Sequence, residues 1–186
     1  MITSLVNGVL LIWLILEVIA IMRHRLPSTP SQDKGSFRVI WMTVAAAFLL
    51  SDTIGFWGRA WNPLIPVELR MAGIALLVMG IIFRQYSIRV LGRFFTPQVV
   101  IQDQHALVRR GPYRWLRHPS YTGAWLAFIG IGLSSRGVLS LLVFAIIPLI
   151  GLLYRIRVEE YALHRALGTA YDDYAKSTWR LIPFVY

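Results

Sequence analysis

Residues 4–22 read SLVNGVLLIWLILEVIAIM, and only Asn7 and Glu17 interrupt this apolar run. A helix rises about 1.5 Å per residue, so about twenty apolar residues cross a bilayer core that is about 30 Å thick. Four more apolar runs follow, at residues 39–58, 71–83, 121–133 and 137–154. The sequence therefore predicts an all-α, polytopic integral membrane protein with about five transmembrane helices. The third and fourth runs are short, and the fourth could instead form a hairpin with the fifth around residues 134–137.

The composition is that of a membrane protein rather than of a soluble enzyme. Hydrophobic residues make up 56% of the 186 residues, charged residues make up 15%, and the mean hydropathy is +0.59. Soluble domains usually carry about 25% charged residues. The chain has no cysteine, which excludes disulfides, thiolate metal sites and cysteine nucleophiles. It also lacks a histidine pair at metal-binding spacing, so we expect no metal.

The charges are strongly basic and unevenly distributed. There are 19 Lys and Arg residues against 9 Asp and Glu residues, and the net charge is +10. The basic residues gather in the loop 23–38, in the segment 84–117 and in the tail from Arg155 onward. Since basic loops tend to stay in the cytoplasm, this pattern places the N-terminus outside and the C-terminus inside. The expected anionic partner is therefore membrane lipid and not nucleic acid.

The segment GPYRWLRHPSYTG, residues 111–123, precedes the fourth apolar run and is rich in groups that bind ligands. Pro119 is suited to the first turn of a helix, where its missing N–H has no cost. A helix that begins there presents backbone N–H groups to an anion such as a carboxylate. The alternative is a membrane-interface belt, because Tyr, Trp and Arg gather at the headgroup level in any case. His118 alone is likewise more often a hydrogen-bonded interfacial residue than a catalytic one.

The second candidate region extends the fifth apolar run out of the membrane, from Arg155 to Gly168. Arg155 and Glu159 are four residues apart and share a helix face, as do Glu160 and His164. Gly168 predicts the end of this helix. The alternative is a solvated helix whose ion pairs contribute a few tenths of a kcal/mol. In a chain this poor in acids, however, two adjacent carboxylates at a membrane boundary need cationic partners, and a cationic ligand would serve.

Two acidic residues, Glu17 and Asp52, lie inside predicted spans, where a charge is costly. They could pair with each other, with Arg70 or Arg84, or with Trp and Ser donors. We expect a structural pairing role, because both lie outside the two candidate regions. Residues 27–35, between the first two spans, are expected to form a plain flexible loop.

Several motifs of the second half occur together. They are LGRFFT at 91–96, LVRRGPY at 107–113, RHPSYTG at 117–123, Arg155 with Glu159-Glu160, the spacing Gly168-x-x-Tyr171-x-x-Tyr174, and TWRLIP at 178–183. With these motifs, the chain resembles the isoprenylcysteine carboxyl methyltransferase family, including its prokaryotic membrane members, from about residue 91 to 183. Arg-His-Pro-x-Tyr alone also occurs in phospholipid N-methyltransferases and sterol reductases, so the combination carries the resemblance. The first ninety residues match only in hydropathy.

The resemblance implies a single membrane domain over residues 1–186, with helices one to three in 1–84. Residues 85–186 would form the cofactor-binding core, with helices four and five and a C-terminal helix. The family uses S-adenosylmethionine as methyl donor, with S-adenosylhomocysteine as the product, in a pocket that faces the cytoplasm. The expected cofactor-binding residues are Tyr113, Leu116, Arg117, His118, Pro119, Tyr121, Glu159 and Glu160. Arg155, beside Glu159, would meet the substrate carboxylate, and these two residues are the catalytic candidates.

The chemistry of this donor agrees with the residue types. Glu159 or Glu160 suits its ammonium group, Arg117 or a helix N-terminus suits its carboxylate, and Tyr or Trp faces suit its sulfonium. An acceptor carboxylate is already ionised at neutral pH, so O-methylation needs no general base. It requires alignment of the reacting atoms and exclusion of water.

The expected activity is therefore O-methylation of the carboxylate of a lipophilic, isoprenylcysteine-like acceptor. A phospholipid amine is an alternative acceptor, for which His118 could act as a general base. Further alternatives are an NADPH-dependent sterol-type reductase, a non-catalytic scaffold that gathers anionic lipid, and a small-molecule transporter. The sequence does not determine the oligomeric state.

Overall fold

The computed structural model describes residues 1–23, 33–58, 61–99 and 107–185. Within these residues the α-helices are α1 (Ile2–Arg23), α2 (Ser36–Trp57), α3 (Val67–Leu91), α4 (Pro119–Ser134), α5 (Val138–Leu167) and α6 (Thr169–Lys176). Short 3₁₀ turns lie at Gly92–Phe94 and Gly111–Arg114, and the described residues contain no named strand. The first five helices coincide with the five apolar runs, which confirms the all-α class.

These five helices differ in their capacity to cross a bilayer. By length and composition α1, α2 and α5 can each span a membrane, with 22, 22 and 30 residues. The helix α4 has 16 residues and is therefore about 24 Å long, which is shorter than a bilayer core. The described part of the chain thus has three candidate spans of full length, where the sequence predicted about five. A short turn at residues 135–137 joins α4 to α5 in a helical hairpin.

Glycines bring α3 and α4 into direct backbone contact. A Cβ placed on Gly80 of α3 would lie 2.5 Å from a backbone nitrogen of α4, and one placed on Gly123 of α4 would lie 2.6 Å from a backbone nitrogen of α3. Gly73 and Gly130 make the same close approach further along. Small residues of this kind let helices pack tightly in a membrane, where van der Waals contact drives association. We call these four residues the glycine seam.

The other helices complete the bundle around the α3–α4 pair. Helix α5 packs against both α4 and α2, and α1 lies against α3 and α4. Trp13 of α1 contacts Phe128 of α4, with ring centroids 5.3 Å apart, and Phe48 of α2 contacts Phe144 of α5 at 5.0 Å. The apolar side chains of α1 that remain exposed include Leu11, Ile12, Leu14, Ile15 and Val18. This outer face of α1 is suited to contact with lipid.

The chain reversals bring the polar segments to one end of the bundle. At the opposite end the Ile65 amide donates to the Arg136 carbonyl at 3.0 Å, and the Val138 amide donates to the Pro63 carbonyl at 2.9 Å. Helix α5 ends before Gly168, whose φ of +53° confirms the predicted stop. The start of α2, the end of α3, the start of α4 and the last turns of α5 therefore meet at one end, which we call the site end.

We expect Gly123→Ala to lower the melting temperature of the detergent-solubilised protein by several degrees. The added methyl group pushes against the α3 backbone, and overpacking of this kind costs about 1–3 kcal/mol. Gly8→Ala in α1 is the matched control, because an added Cβ there has no heavy atom within 4 Å and alanine has the higher helix propensity. Its melting temperature should be unchanged or slightly higher. Equal melting temperatures for the two variants would contradict the close backbone contact of α3 and α4 at the glycine seam.

Candidate active site

The C-terminal tail holds the start of α4 in place. The Arg117 amide donates to the Trp179 carbonyl at 2.7 Å. The Thr122 hydroxyl donates to the Leu181 carbonyl at 2.7 Å, so the tail is also tied to the first turn of the helix. Pro119 is the first residue of α4, as the sequence predicted. The segment before α4 and the tail thus form one hydrogen-bonded unit.

Glu160 of α5 is surrounded by basic groups. Its Oε1 accepts from Arg117 Nε at 2.9 Å, and its Oε2 accepts from Arg180 Nε at 2.9 Å. His118 Nε2 lies 3.4 Å from Oε1. Both oxygens are therefore occupied by protein groups, and they join α5, the segment before α4 and the tail.

Glu159, the neighbour of Glu160, points instead into a cavity. Its Oε2 accepts from the Tyr121 hydroxyl at 2.7 Å, and His118 Nδ1 lies 3.9 Å from the same oxygen. The His118 and Tyr121 rings stack, with centroids 5.6 Å apart and planes 16° from parallel. About 29% of the Glu159 side-chain surface is exposed to solvent, so its carboxylate is accessible to a ligand.

Arg155 is buried, and protein acceptors use most of its guanidinium. Its Nη1 donates to Asp33 and to the Ser36 hydroxyl, and its Nη2 donates to the Pro97 carbonyl at 2.9 Å. Its Nε donates to the Tyr121 hydroxyl at 3.0 Å, so four of its five N–H groups are engaged. Arg155 therefore joins the start of α2, the segment after α3 and the start of α4.

Asp33 supplies the negative charge that the buried Arg155 needs. It also accepts from the Ser36 hydroxyl at 2.8 Å and from the Phe37 amide at 3.0 Å. Burial would raise the pKa of the Asp33 carboxyl, but these hydrogen bonds and the charge of Arg155 outweigh burial and hold the pKa below its ordinary value. Asp33 is consequently ionised at neutral pH.

A cavity at the site end, here called the polar cavity, collects these groups. Its walls include Phe94, Phe95, Tyr113, Arg117, His118, Tyr121, Arg155, Glu159, Leu163, Tyr171 and Tyr174. The Tyr174 hydroxyl donates to the Tyr113 carbonyl at 2.7 Å, whereas the buried Tyr171 hydroxyl has no hydrogen-bond partner within the described residues. Burial raises the pKa of Tyr171 and raises the pKa of Tyr174 to about 12. Both hydroxyls therefore keep their protons at neutral pH and can donate.

A second cavity, here called the apolar cavity, lies among α1, α2 and α4 and has a volume of about 280 Å³. Its lining residues are Leu10, Trp13, Leu14, Glu17, Ile40, Trp41, Val44, Phe48, Arg84, Tyr121, Ala124, Phe128, Ile131 and Leu152. Among these described residues only Glu17 and Arg84 carry charges. Tyr121 lines both cavities, so the two spaces meet at this side chain.

Glu17 and Arg84 form an ion pair between α1 and α3. Arg84 Nε lies 2.5 Å from one carboxylate oxygen of Glu17, and Arg84 Nη2 lies 2.7 Å from the other. Trp13 Nε1 donates to the same carboxylate at 2.8 Å. The structure thus selects one of the pairings that the sequence left open. Asp52 does not join it and lines a different cavity at the opposite end of the bundle.

Residues 73–165, half of the chain, match the isoprenylcysteine carboxyl methyltransferase (ICMT) family. The chain belongs to this family. It is 35% identical over 115 residues to protein-S-isoprenylcysteine O-methyltransferase A of Arabidopsis thaliana, and the matched region covers 61% of this chain and 58% of the relative. It is 31% identical over 142 residues to the protein-S-isoprenylcysteine O-methyltransferase of Dictyostelium discoideum, and here the matched region covers 74% of this chain and 60% of the relative. The chain spans about three fifths of the length of these relatives.

A solved structure shows the same architecture. The eukaryotic intramembrane Ras methyltransferase ICMT matches with a TM-score of 0.64 and 24% identity, over 77% of this chain and 52% of that chain. The likeness shows that this ICMT family member has the membrane-embedded ICMT fold. The family comparison and the fold comparison together confirm the resemblance that the motifs indicated.

The ICMT fold brings the predicted site residues together at the site end. Those that line the polar cavity are Tyr113, Arg117, His118, Tyr121, Arg155 and Glu159. The other three, Leu116, Pro119 and Glu160, lie outside its lining. Leu116 pairs with the tail through a bridge to Trp179, and Glu160 binds the arginines described above.

Asp33 belongs to the site, whereas the sequence predicts only a plain flexible loop at 27–35 and no role for this residue. Residues 27–32 of that loop lie outside the described residues, but Asp33 is buried against Arg155. A signal was present in the sequence. An Asp that precedes Ser36 by three residues, just before an apolar run, is typical of a helix start.

We expect Asp33→Asn to lower the stability of the solubilised protein by about 3 kcal/mol, because it leaves the buried Arg155 charge without its counterion. Since the folded-state pKa of Asp33 is depressed, the advantage of the wild type should be complete above about pH 4 and should shrink as the pH falls further. Denaturant unfolding in detergent over this range measures both effects. Asp173→Asn is the control, because its exposed pair with Lys176 contributes little. A loss of stability in Asp33→Asn that stays constant with pH would contradict the ion pair between Asp33 and Arg155.

Proposed function

We propose that this ICMT family member transfers a methyl group from S-adenosylmethionine to the carboxylate of a lipophilic, isoprenylcysteine-like acceptor in the membrane. The observation that carries the proposal is the position of Tyr121, where the polar cavity meets the apolar cavity. A polar donor and a lipophilic acceptor can approach each other at this one side chain. The relatives are named as protein-S-isoprenylcysteine O-methyltransferases, which supports this class of acceptor.

The polar cavity contains the chemical groups that S-adenosylmethionine requires. The exposed Glu159 carboxylate suits the ammonium group, and the aromatic rings of the wall suit the sulfonium and the adenine base. The Tyr171 hydroxyl is a buried donor without a partner in the described chain. Arg117 suits the donor carboxylate, but its Nε and Nη1 already bind protein oxygens. Within the part of the chain that the structure describes, its Nη2 is the group left for this contact.

The polar cavity must widen to admit the whole donor. It encloses about 80 Å³, which is well below the roughly 300–1,000 Å³ of common ligand pockets. Its lining includes residues 107–108, which form a loop rather than a long helix. Loops are the elements that open at the lowest free-energy cost. Donor entry is therefore expected to displace this loop rather than α4, α5 or the segment 94–99, in which Arg155 holds the Pro97 carbonyl.

When bound, S-adenosylmethionine supplies a methyl group on a positively charged sulfur, which passes to a carboxylate oxygen as the carbon–sulfur bond breaks. The products are a methyl ester and S-adenosylhomocysteine. No proton is removed from a carboxylate acceptor, so the residues at Tyr121 need only align the reactants and exclude water. Such positioning can contribute several kcal/mol, up to about 7–11 in ideal cases.

In this proposal Glu159 contacts the donor and Arg155 positions the site. Arg155 Nε holds the Tyr121 hydroxyl, which in turn donates to Glu159, so one buried cation orients both side chains. Only one of its five N–H groups has no partner among the described residues and could reach an acceptor carboxylate. Arg155 is therefore better suited to hold Tyr121 than to bind the acceptor by itself.

We also propose that the N-terminus lies outside and that the site end lies in the cytoplasm. The described basic residues at the site end include Arg89, Arg93, Arg109, Arg110, Arg114, Arg117, Arg157, Arg165 and Arg180. The opposite end has Arg70 and Arg136 in the described chain. This asymmetry favours the stated orientation. Because Asp33 of the first 84 residues binds Arg155 of the second part, we treat residues 1–186 as one domain.

We expect wild-type protein in nanodiscs to bind S-adenosylmethionine and S-adenosylhomocysteine saturably. Glu159→Gln should bind the methyl donor at least about tenfold more weakly, because a hydrogen bond to a charged group contributes about 1.5–3 kcal/mol. Glu68→Gln is the matched control, since Glu68 lies in the first turn of α3 at the opposite end. Equilibrium titration measures all three proteins.

Parallel titration with NADPH tests the reductase alternative. If the protein binds NADPH alone, the proposal is contradicted. If the folded protein binds none of the three compounds, the remaining hypotheses are a non-catalytic scaffold and a transporter. Once donor binding is shown, transfer of a labelled methyl group to an S-farnesylated N-acetylcysteine in vesicles is the direct test of the activity.

The absence of cysteine makes the orientation testable by labelling. Trp115 at the site end and Trp61 at the opposite end are exposed side chains. In intact cells, Trp61→Cys should react with a membrane-impermeant maleimide, whereas Trp115→Cys should react only after permeabilisation. The reverse pattern would invert the proposed orientation.

A further inference from the structure

A third cavity, here called the opposite-end cavity, lies at the end of the bundle away from the candidate active site and has a volume of about 730 Å³. Common ligand pockets range from roughly 300 to 1,000 Å³, so this size suits a small molecule or a lipid head group. Its walls are the last turns of α2, the loop before α3 and the turn between α4 and α5. The lining residues are Ser51, Asp52, Ile54, Gly55, Phe56, Asn62, Leu64, Ser135, Arg136, Gly137 and Ser140.

Hydrogen bonds between two of these walls hold the opposite-end cavity in shape. The Leu139 amide donates to Asn62 Oδ1 at 3.1 Å. The Asn62 side chain also lies directly against Gly137, so that a Cβ on this glycine would collide with the amide group. Two backbone hydrogen bonds, described with the fold, join the same loop to the same turn. The cavity is therefore largely preformed, as ligand sites usually are.

Two opposite charges line the opposite-end cavity, and neither has a protein partner in the described part of the chain. Asp52 and Arg136 are both exposed, and they form no ion pair with each other or with another described residue. Helix α2, which carries Asp52, is long enough to span a membrane, and an acid in such a helix is commonly retained for a function. Asp52 is suited to a cationic ligand group, and Arg136 is suited to a phosphate or a carboxylate.

A buried hydroxyl points to a ligand independently of these charges. Ser140, in the first turn of α5, is only 4% exposed and lines the same cavity. Among the residues that the structure describes, its hydroxyl has no hydrogen-bond partner. Buried polar side chains in proteins usually have one. An oxygen atom of a ligand in the cavity could accept a hydrogen bond from this hydroxyl.

The surroundings of the opposite-end cavity are those of a membrane interface. Phe56 and Leu64 of its lining have exposed side chains, and so do Trp57 and Trp61 beside it. Exposed aromatic side chains at the end of a spanning helix gather at the headgroup level of a bilayer. The head group of a phospholipid can therefore enter the cavity while its acyl chains lie along the apolar side chains of the bundle.

We infer that the opposite-end cavity binds the head group of a phospholipid that carries a primary ammonium and a phosphate, as phosphatidylethanolamine does. Arg136 and the Ser140 hydroxyl bind the phosphate, and Asp52 accepts hydrogen bonds from the ammonium. A quaternary ammonium has no N–H group to donate and is held best by several aromatic faces, whereas the described lining offers only Phe56. An anionic head group without an amine would leave Asp52 without a counterion. The cavity should therefore prefer ethanolamine to choline and to glycerol head groups.

This lipid site is separate from the proposed methyl transfer. The opposite-end cavity and the polar cavity lie at different ends of the bundle, so a lipid bound here is not a methyl acceptor. Its head group contacts both α2 and the turn between α4 and α5. Since the unfolded chain lacks this arrangement, bound lipid should stabilise the folded protein by mass action.

Native mass spectrometry of the delipidated full chain in detergent tests the inference. Dioleoyl phosphatidylethanolamine, phosphatidylcholine and phosphatidylglycerol are added at equal concentrations. Wild type should bind one ethanolamine lipid about fivefold more tightly than either of the others, and Asp52→Asn should lose most of this preference. Arg136→Gln should weaken the binding of all three lipids. The matched controls are Glu68→Gln, an acid at the same end outside the lining, and Arg114→Gln, an exposed arginine at the site end.

Melting temperatures in mixed micelles provide a second measurement in solution. The ethanolamine lipid should raise the melting temperature of wild type and Glu68→Gln more than the choline lipid does. In Asp52→Asn the two lipids should act equally. The substitution keeps the shape of the side chain, so a lower melting temperature that is the same in both lipids would show a structural role for Asp52 and would overturn the inference only if the lipid preference also persists.

A soluble head group distinguishes the lipid from a free zwitterion of the same chemistry. Glycerophosphoethanolamine, which lacks acyl chains, should not displace the ethanolamine lipid at an equal concentration. If it binds as tightly as the lipid, the lipid assignment is wrong. Equal affinity of wild type for the three lipids, or an ethanolamine preference that persists in Asp52→Asn, would also overturn the inference. None of these results depends on methyl transfer.

Discussion

The buried guanidinium of Arg155 is the constraint on which the site end depends. A charge that is removed from water at this position is stable only when ionised and polar partners surround it. Those partners come from the start of α2, the segment after α3 and the start of α4. The need to satisfy one side chain therefore determines how three separated parts of the chain are arranged around the last turns of α5.

The two adjacent acids of α5 have different surroundings, because only one of them is enclosed by basic groups. Glu160 is enclosed by Arg117, Arg180 and His118, and it holds the tail against the segment before α4. Glu159 remains accessible beside Tyr121. The same tyrosine borders the apolar cavity, so the helices of the membrane and the polar segments contribute to a single site. The ICMT family membership accounts for this combination of an apolar bundle with a polar end.

Much of the fold could be predicted from the sequence, because long apolar runs are strong local signals. The five runs became five helices, and Gly168 ended α5 as expected. The short fourth run became the short helix α4, but its packing along the glycine seam could not be predicted, because it depends on tertiary contacts. The direction of Glu159 and Glu160 could not be predicted either, since adjacent helix positions differ by about 100° and only the neighbours decide which one faces a cavity. Asp33 and Arg155 are 122 residues apart, and no local pattern connects them.

The pairing of the tail with the segment before α4 has a consequence for biosynthesis. The Trp179 and Leu181 carbonyls hold the start of α4, and Arg180 completes the surroundings of Glu160. The ribosome makes these residues well after α4 and most of α5 have been synthesised. A nascent chain can therefore insert its helices into the bilayer before the polar end has been assembled. The polar end would be complete only after residues 179–181 have left the ribosome, which separates membrane insertion in time from assembly of the candidate site.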